Sequence, residues 1–187
     1  MTKHSIRDKR ELLINSAVDV FSEKGYWNTK ISDIVSKAGV AQGTFYLYFK
    51  NKEQLFKEML LELHKASVEE INSITEKKYK NSLDKLIEML INKFYARKKI
   101  IKVFIYETLS VGNEFIEILE HFKNVSIHFI AECLKIDYPD MDNEKIAKKS
   151  FIIYSIIRNI MEFSIIRENK PLKDTIYEAK SLISEVL

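Results

Sequence analysis

The chain has 187 residues, 46% of them hydrophobic and 30% charged, with a formal net charge of +3. It is long enough for a full hydrophobic core; its single cysteine excludes an intrachain disulfide framework, and four glycines and two prolines leave it nearly free of helix breakers. The charge is uneven, because residues 1–52 hold nine Lys and Arg against five Asp and Glu while the rest is close to balanced, and a basic N-terminal part on a near-neutral body points to nucleic acid.

Residues 1–5 read as a basic arm without the apolar stretch of a secretory signal. A helix is expected from Ile6 to Lys24, with Leu13, Ile14, Ala17, Val18 and Phe21 as its inner stripe. Gly25 ends it, and Tyr26 and Trp27 follow, placed to pack the N-terminal part together. Ile31, Ile34, Val35 and Ala38 then recur at helical spacing, with Thr29 available to cap the helix and Gly39 to end it in a left-handed residue. The chain restarts near Ala41 and turns helical through Phe49. Helix, glycine turn and short helix form a helix-turn-helix, whose second helix enters the DNA major groove.

Asn51, with Gln54 at the capping-box position, opens a long helix to about Glu76. Further helices are expected at about Leu83–Arg97, Lys99–Val111, Glu114–Leu134, Glu144–Arg167 and Leu172–Leu187, with Asp142 or Asn143 capping the fourth of these. The fold class is therefore all-α, with about nine helices. The domains are expected to be a helix-turn-helix DNA-binding head at 1–52 and a helical body at 53–187. The most apolar run, Phe151 to Ile157, ends at Arg158 and is too short to span a bilayer. No membrane contact is expected, and the chain is read as soluble and cytoplasmic. Cys133 lies in an apolar helical run and reads as a buried small hydrophobe.

The segment AGVAQGTFYLYFKNKEQLF resembles the DNA-binding signature of the TetR family of bacterial transcriptional repressors, and the preceding FSEKGYWNTKISDIVSK fits it too. The resemblance runs from about Ile6 to Phe56, with Gly25-Tyr26, Thr29, Asp33-Ile34, Ala38-Gly39-Val40, Gly43-Thr44-Phe45-Tyr46, Tyr48-Phe49 and Lys52-Glu53 at the family's spacings. Ala41 departs from it, because the family commonly has Ser or Thr there, and Ala removes a side-chain cap from the recognition helix.

On that helix Gln42 is the candidate for an adenine edge, which an amide pairs bidentately. Gly43 lets the backbone approach closely, and Thr44, Tyr46 and Tyr48 offer hydroxyls to base or phosphate. Phe45 and Phe49 should face inward. Thr29 and Lys52, at helix N-termini, and Lys30 are the candidate phosphate contacts.

The Glu144–Arg167 helix is apolar nearly all round and must be covered on two sides. The resemblance implies that the two C-terminal helices pair with those of a second subunit, through Ile153, Ile156, Ile157, Ile160, Phe163, Ile176, Ala179, Leu182 and Ile183. It also implies a cavity in the body for an unidentified small-molecule effector, largely apolar or aromatic. Phe94, Phe104, Glu107, Thr108, Phe122, Phe129, Tyr154 and Arg158 supply aromatic surface and a few polar groups for it. The function implied is a ligand-responsive repressor that binds a palindromic operator as a homodimer. The alternative is a helical interaction module, or an activator without small-molecule induction.

An enzyme is not expected, because there is no glycine-rich phosphate loop, no HExxH and no nucleophile elbow. No cofactor is expected. His121 and His128 stand about 10.5 Å apart along a helix of 1.5 Å rise, too far to share a metal ion.

Overall fold

The computed structural model describes residues 6–76 and 81–187. Among them the chain is helical throughout, with no strand. The elements are α1 (Ile6–Lys24), α2 (Ile31–Ala38), α3 (Gln42–Tyr46), α4 (Lys52–Glu76), α5 (Ser82–Ala96), α6 (Lys98–Val111), α7 (Asn113–Asp137), α8 (Asn143–Ile160), a π-helical stretch (Met161–Arg167) and α9 (Leu172–Ser184). They form two compact units. The first takes the chain up to Leu63 together with Lys99–Phe115; the second takes His64–Lys98 and Ile116–Leu187. This division differs from a cut at residue 52, because α4 is continuous past that point and α6 packs with the first unit.

The core of the first unit is aromatic. Phe56 of α4 is fully buried among Phe21 at 5.6 Å, Tyr26 at 4.9 Å, Phe104 at 5.0 Å and Phe115 at 5.5 Å between ring centres. These separations suit tilted and edge-on ring pairs, so Phe56 joins α1, α4, α6 and the start of α7. Truncating such a residue to Ala costs about 3–5 kcal/mol. Leu13 and Ala17 of α1, Ile34 of α2, and Phe45 and Phe49 around α3 are buried with it. Trp27 differs from its expected packing role. It is 59% exposed, with its ring edge-on to Tyr26 at 5.3 Å.

The second unit has an aliphatic core. Leu83, Leu86, Ile87 and Ile91 of α5 meet Phe129, Ile130, Cys133 and Leu134 of α7, Ile146, Ile153, Ile157 and Ile160 of α8, and Ala179 and Ile183 of α9. Burial pushes the Cys133 thiol up to about 12, so it stays protonated and unreactive. The N-terminus of α5 is capped from a distant element. Asp137, at the end of α7, accepts from the backbone N–H groups of Ser82 and Leu83 at 2.9 and 2.8 Å. A carboxylate there satisfies two orphan donors and complements the helix dipole. Asp142 caps α8 as expected, accepting from Lys145 N–H at 2.9 Å.

The single helix expected over 144–167 ends instead at Ile160 and widens into the π-helical stretch. The wide turn puts Met161, Ser164 and Ile165 inward and Phe163 outward. The Ser164 hydroxyl donates to Glu178 of α9 at 2.9 Å, a partly buried bond that hydrophobic periodicity does not encode.

Candidate nucleic-acid interface

The turn between α2 and α3 forms as its residues dictate. Gly39 adopts φ +65°, and the Val40 N–H returns to the Val35 carbonyl at 3.0 Å, closing the end of α2. Ala41 stands at the cap position of α3 with extended backbone and supplies no side-chain cap. Phe45 and Phe49, 5.6 Å apart between ring centres, are buried and fix the rotation of α3. Gln42, Gly43 and Tyr46 are thereby exposed on its outer face, while Thr44 and Tyr48 are half-buried. Leu47, not among the residues expected from the sequence, is 79% exposed on the same face. It was legible there, because Gly43 and Leu47 are four residues apart and opposite the two phenylalanines.

The positioning residues divide differently from expectation. Thr29 does not cap α2. It is only 2% exposed, and its hydroxyl donates to the Gly25 carbonyl at 2.7 Å. The cap position belongs to Lys30, whose backbone N–H donates to Asp33 at 2.9 Å and whose side chain is exposed. That backbone bond, with the ammonium of Lys24 at 2.9 Å, holds the Asp33 carboxyl below the usual carboxylate range. Lys52 turns inward. Its Nζ donates to the carbonyls of Tyr26 and Thr29, and burial lowers its pKa against the opposing charge of Glu107. At the start of α4, Gln54 N–H donates to Asn51 at 2.7 Å, while the Gln54 side chain accepts from Lys50 N–H, not from Asn51. Arg10 ties α1 to Glu58 and Glu62 of α4, and its guanidinium lies over the Phe49 ring at 5.4 Å.

The eight expected effector-site residues fall in both units. In the first, Phe104 is core, Glu107 is half-buried, and Thr108 is fully buried with no hydrogen-bond partner for its hydroxyl among the described residues. In the second, Phe94 and Tyr154 are half-buried and Phe129 is core, while Phe122 stacks on His64 with ring centres 3.8 Å apart. Arg158 departs from expectation, lying exposed on α8.

The expected pairing seam also changes. Ile153, Ile157, Ile160, Ala179 and Ile183 are buried within their own unit, because that stripe of α8 and α9 faces α5 and α7. Ile156 and Ile176 are half-buried, and Phe163 and Leu182 are exposed. The apolar side chains that α8, the π-helical stretch and α9 leave exposed are instead Phe151, at 56%, Ile152, Phe163, Leu182 and Tyr177, at 76%. Among the described residues no cluster of three or more His, Cys, Asp or Glu could hold a metal ion, and no helix is long and apolar enough to cross a membrane.

Residues 13–59 match the model of the bacterial regulatory proteins, tetR family. The fatty acid metabolism regulator protein of Bacillus subtilis is 42% identical over 81 residues, 41% of this chain and 42% of that protein. Among solved structures, a TerR/AcrR-family transcriptional regulator from Aquifex aeolicus VF5 is 26% identical with a TM-score of 0.78, covering 96% of this chain and 99% of that one. FadR of Bacillus subtilis, solved with stearoyl-CoA, shares the fold with a TM-score of 0.72 at 22% identity, over 94% of this chain and 96% of that one. The chain spans 24% to 57% of the length of the first curated relatives it matches.

Proposed function

We propose that this chain, a transcriptional regulator of the TetR family, represses transcription by binding a palindromic operator as a homodimer and is released by a largely apolar effector. The observation that carries the DNA reading is the outer face of α3. Two buried phenylalanines hold Gln42, Gly43 and Tyr46 outward on a helix short enough to need a second copy for useful specificity. Gln42, Gly43, Thr44, Tyr46 and Tyr48 are the candidates for base and phosphate contact, with Lys30 as a positioning charge. In this reading residues 1–52 carry the DNA surface and 53–187 the effector and dimer surfaces.

The second copy would sit on the exposed apolar face of Phe151, Ile152, Phe163, Tyr177 and Leu182. Solvent-facing aromatics on α8, the π-helical stretch and α9 support an interface, and α4 supplies the link to the heads. It runs without interruption from Lys52 of the first unit into the second. An effector that shifts α4 changes the spacing of two paired heads. A coupling of about 1–3 kcal/mol would weaken operator binding about 5- to 150-fold. The relative named for fatty acid metabolism and the fold neighbour holding stearoyl-CoA favour an acyl chain as the apolar part of the effector.

The test is selection of duplexes from a random library, then titration of the selected palindrome with and without stearoyl-CoA or free stearate. The reading expects two protomers per palindrome and weaker binding when effector is present. Recovery of no preferred duplex would overturn it.

A further inference from the structure

We infer that Leu47 is a specificity-determining residue that reads the 5-methyl group of a thymine in each half-site, beside the base read by Gln42. This rests on the reading of α3 as the DNA-facing helix and names what that face recognises.

Leu47 is the most exposed large aliphatic side chain among the described residues, at 79%, although its neighbours in sequence include the most deeply buried of the head. Phe45 and Phe49 are at 0% and 1% exposure on either side of it. They fix the backbone, so the outward direction of Leu47 follows from two anchored rings. Leu47 itself keeps helical geometry at the end of α3, with φ −72° and ψ −21°.

What surrounds Leu47 distinguishes it from a stray surface leucine. Four residues before it lies Gly43, at which an added Cβ would meet nothing within 4 Å. Long helical side chains lean toward the helix N-terminus, so Leu47 is directed over the bare backbone of Gly43. Gln42 and Tyr46 border this spot and are exposed as well. The face therefore presents an amide, an aromatic edge and an aliphatic tip around a low point.

That combination matches the major groove. Adenine offers N6 and N7 to an amide, and thymine alone carries a methyl group there. Gln42 and Leu47 are five residues apart, about 7.5 Å along a helix and about two base-pair steps at 3.4 Å each. The half-site should thus contain a thymine about two steps from the adenine paired by Gln42. Removing one buried methyl from such a contact weakens binding by about fourfold per half-site.

Duplexes are first selected from a random library with the full chain. If no preferred duplex emerges, the DNA reading itself fails and this inference goes with it. If one emerges, each thymine of its half-site is replaced in turn by uracil, which removes only the methyl. The wild-type protein should lose about fourfold per half-site at one position, and Leu47→Ala should bind the thymine and uracil duplexes alike. Gly43→Ala should fold normally, since its Cβ is unobstructed, and lose affinity for both. The inference is overturned, with the DNA reading intact, if uracil is tolerated everywhere or Leu47→Ala still prefers thymine. It is equally overturned if Leu47→Ala alters only the oligomeric state.

Discussion

The Nζ of Lys52 donates to the carbonyl oxygen of Tyr26 at 2.6 Å and lies 4.3 Å from the centre of the same residue's ring. Its second bond, to Thr29 at 2.8 Å, closes the turn between α1 and α2 onto the first residue of α4. A charged donor placed this way holds three helices of the head together. Lys52→Met should lower the unfolding free energy by about 1.5–3 kcal/mol in a urea titration. In DNA titrations it should weaken binding by a similar factor at every salt concentration. A salt slope reduced by about one phosphate per head would instead mean that Lys52 holds phosphate.

Gly25 meets two independent demands. Its φ of +79° disfavours any side chain, and an added Cβ would stand 2.8 Å from Glu107 Oε1. Gly25→Ala should therefore cost about 1–2 kcal/mol for the backbone alone, and little more for the collision, because Glu107 Oε1 is the end of a flexible side chain. The double variant Gly25→Ala/Glu107→Ala should recover the collision part only. Urea midpoints of the two single variants and the double variant separate the contributions.

His64 supplies a pH dependence of known sign. Burial, with a smaller contribution from the charge of His121, depresses its pKa below the usual 6.5. The unfolded chain therefore takes up a proton before the folded one does. The stability from neutral His64 is complete above about pH 6.5 and is lost as pH falls through the lower folded value. The melting temperature of wild type should drop more between pH 7 and pH 5 than that of His64→Phe, which keeps a ring to stack on Phe122. Equal drops would remove His64 from the account.

The outer and inner stripes of α8 should respond oppositely to charge. Phe151→Glu, on the exposed face, should leave a folded chain that sediments as a monomer. Ile157→Glu buries an unpaired carboxylate in the core of the second unit and should cost several kcal/mol, visible as loss of cooperative unfolding. If Phe151→Glu stays a dimer in analytical ultracentrifugation, this face is not the seam.

Helix order, the glycine that ends α2, the inward phenylalanines of α3 and the Asp142 cap were all legible, because each follows from local spacing. The sequence also marked Ala41 as an uncapped start. What it hid were tertiary choices. Periodicity placed Ile153, Ile157 and Ile160 on one stripe and Phe151 on another but could not say which stripe the chain's own core would take. Thr29 has the composition of a cap, yet its hydroxyl is drawn to the Gly25 carbonyl by a turn that only the folded head defines. Lys52 reads as a phosphate contact until the carbonyls of Tyr26 and Thr29 are seen around its ammonium. Asp137 reads as loop, although its carboxylate closes α5 from more than fifty residues away.

Titration of the selected palindrome with wild type and Gln42→Ala decides whether α3 reads DNA in a paired arrangement. Two protomers should bind each palindrome, with an affinity that falls by about 10³-fold or more between 50 and 200 mM salt. Gln42→Ala should lose about 1–3 kcal/mol of discrimination at the adenine of each half-site. A flat salt response, or a Gln42→Ala protein with unchanged sequence preference, would contradict that reading.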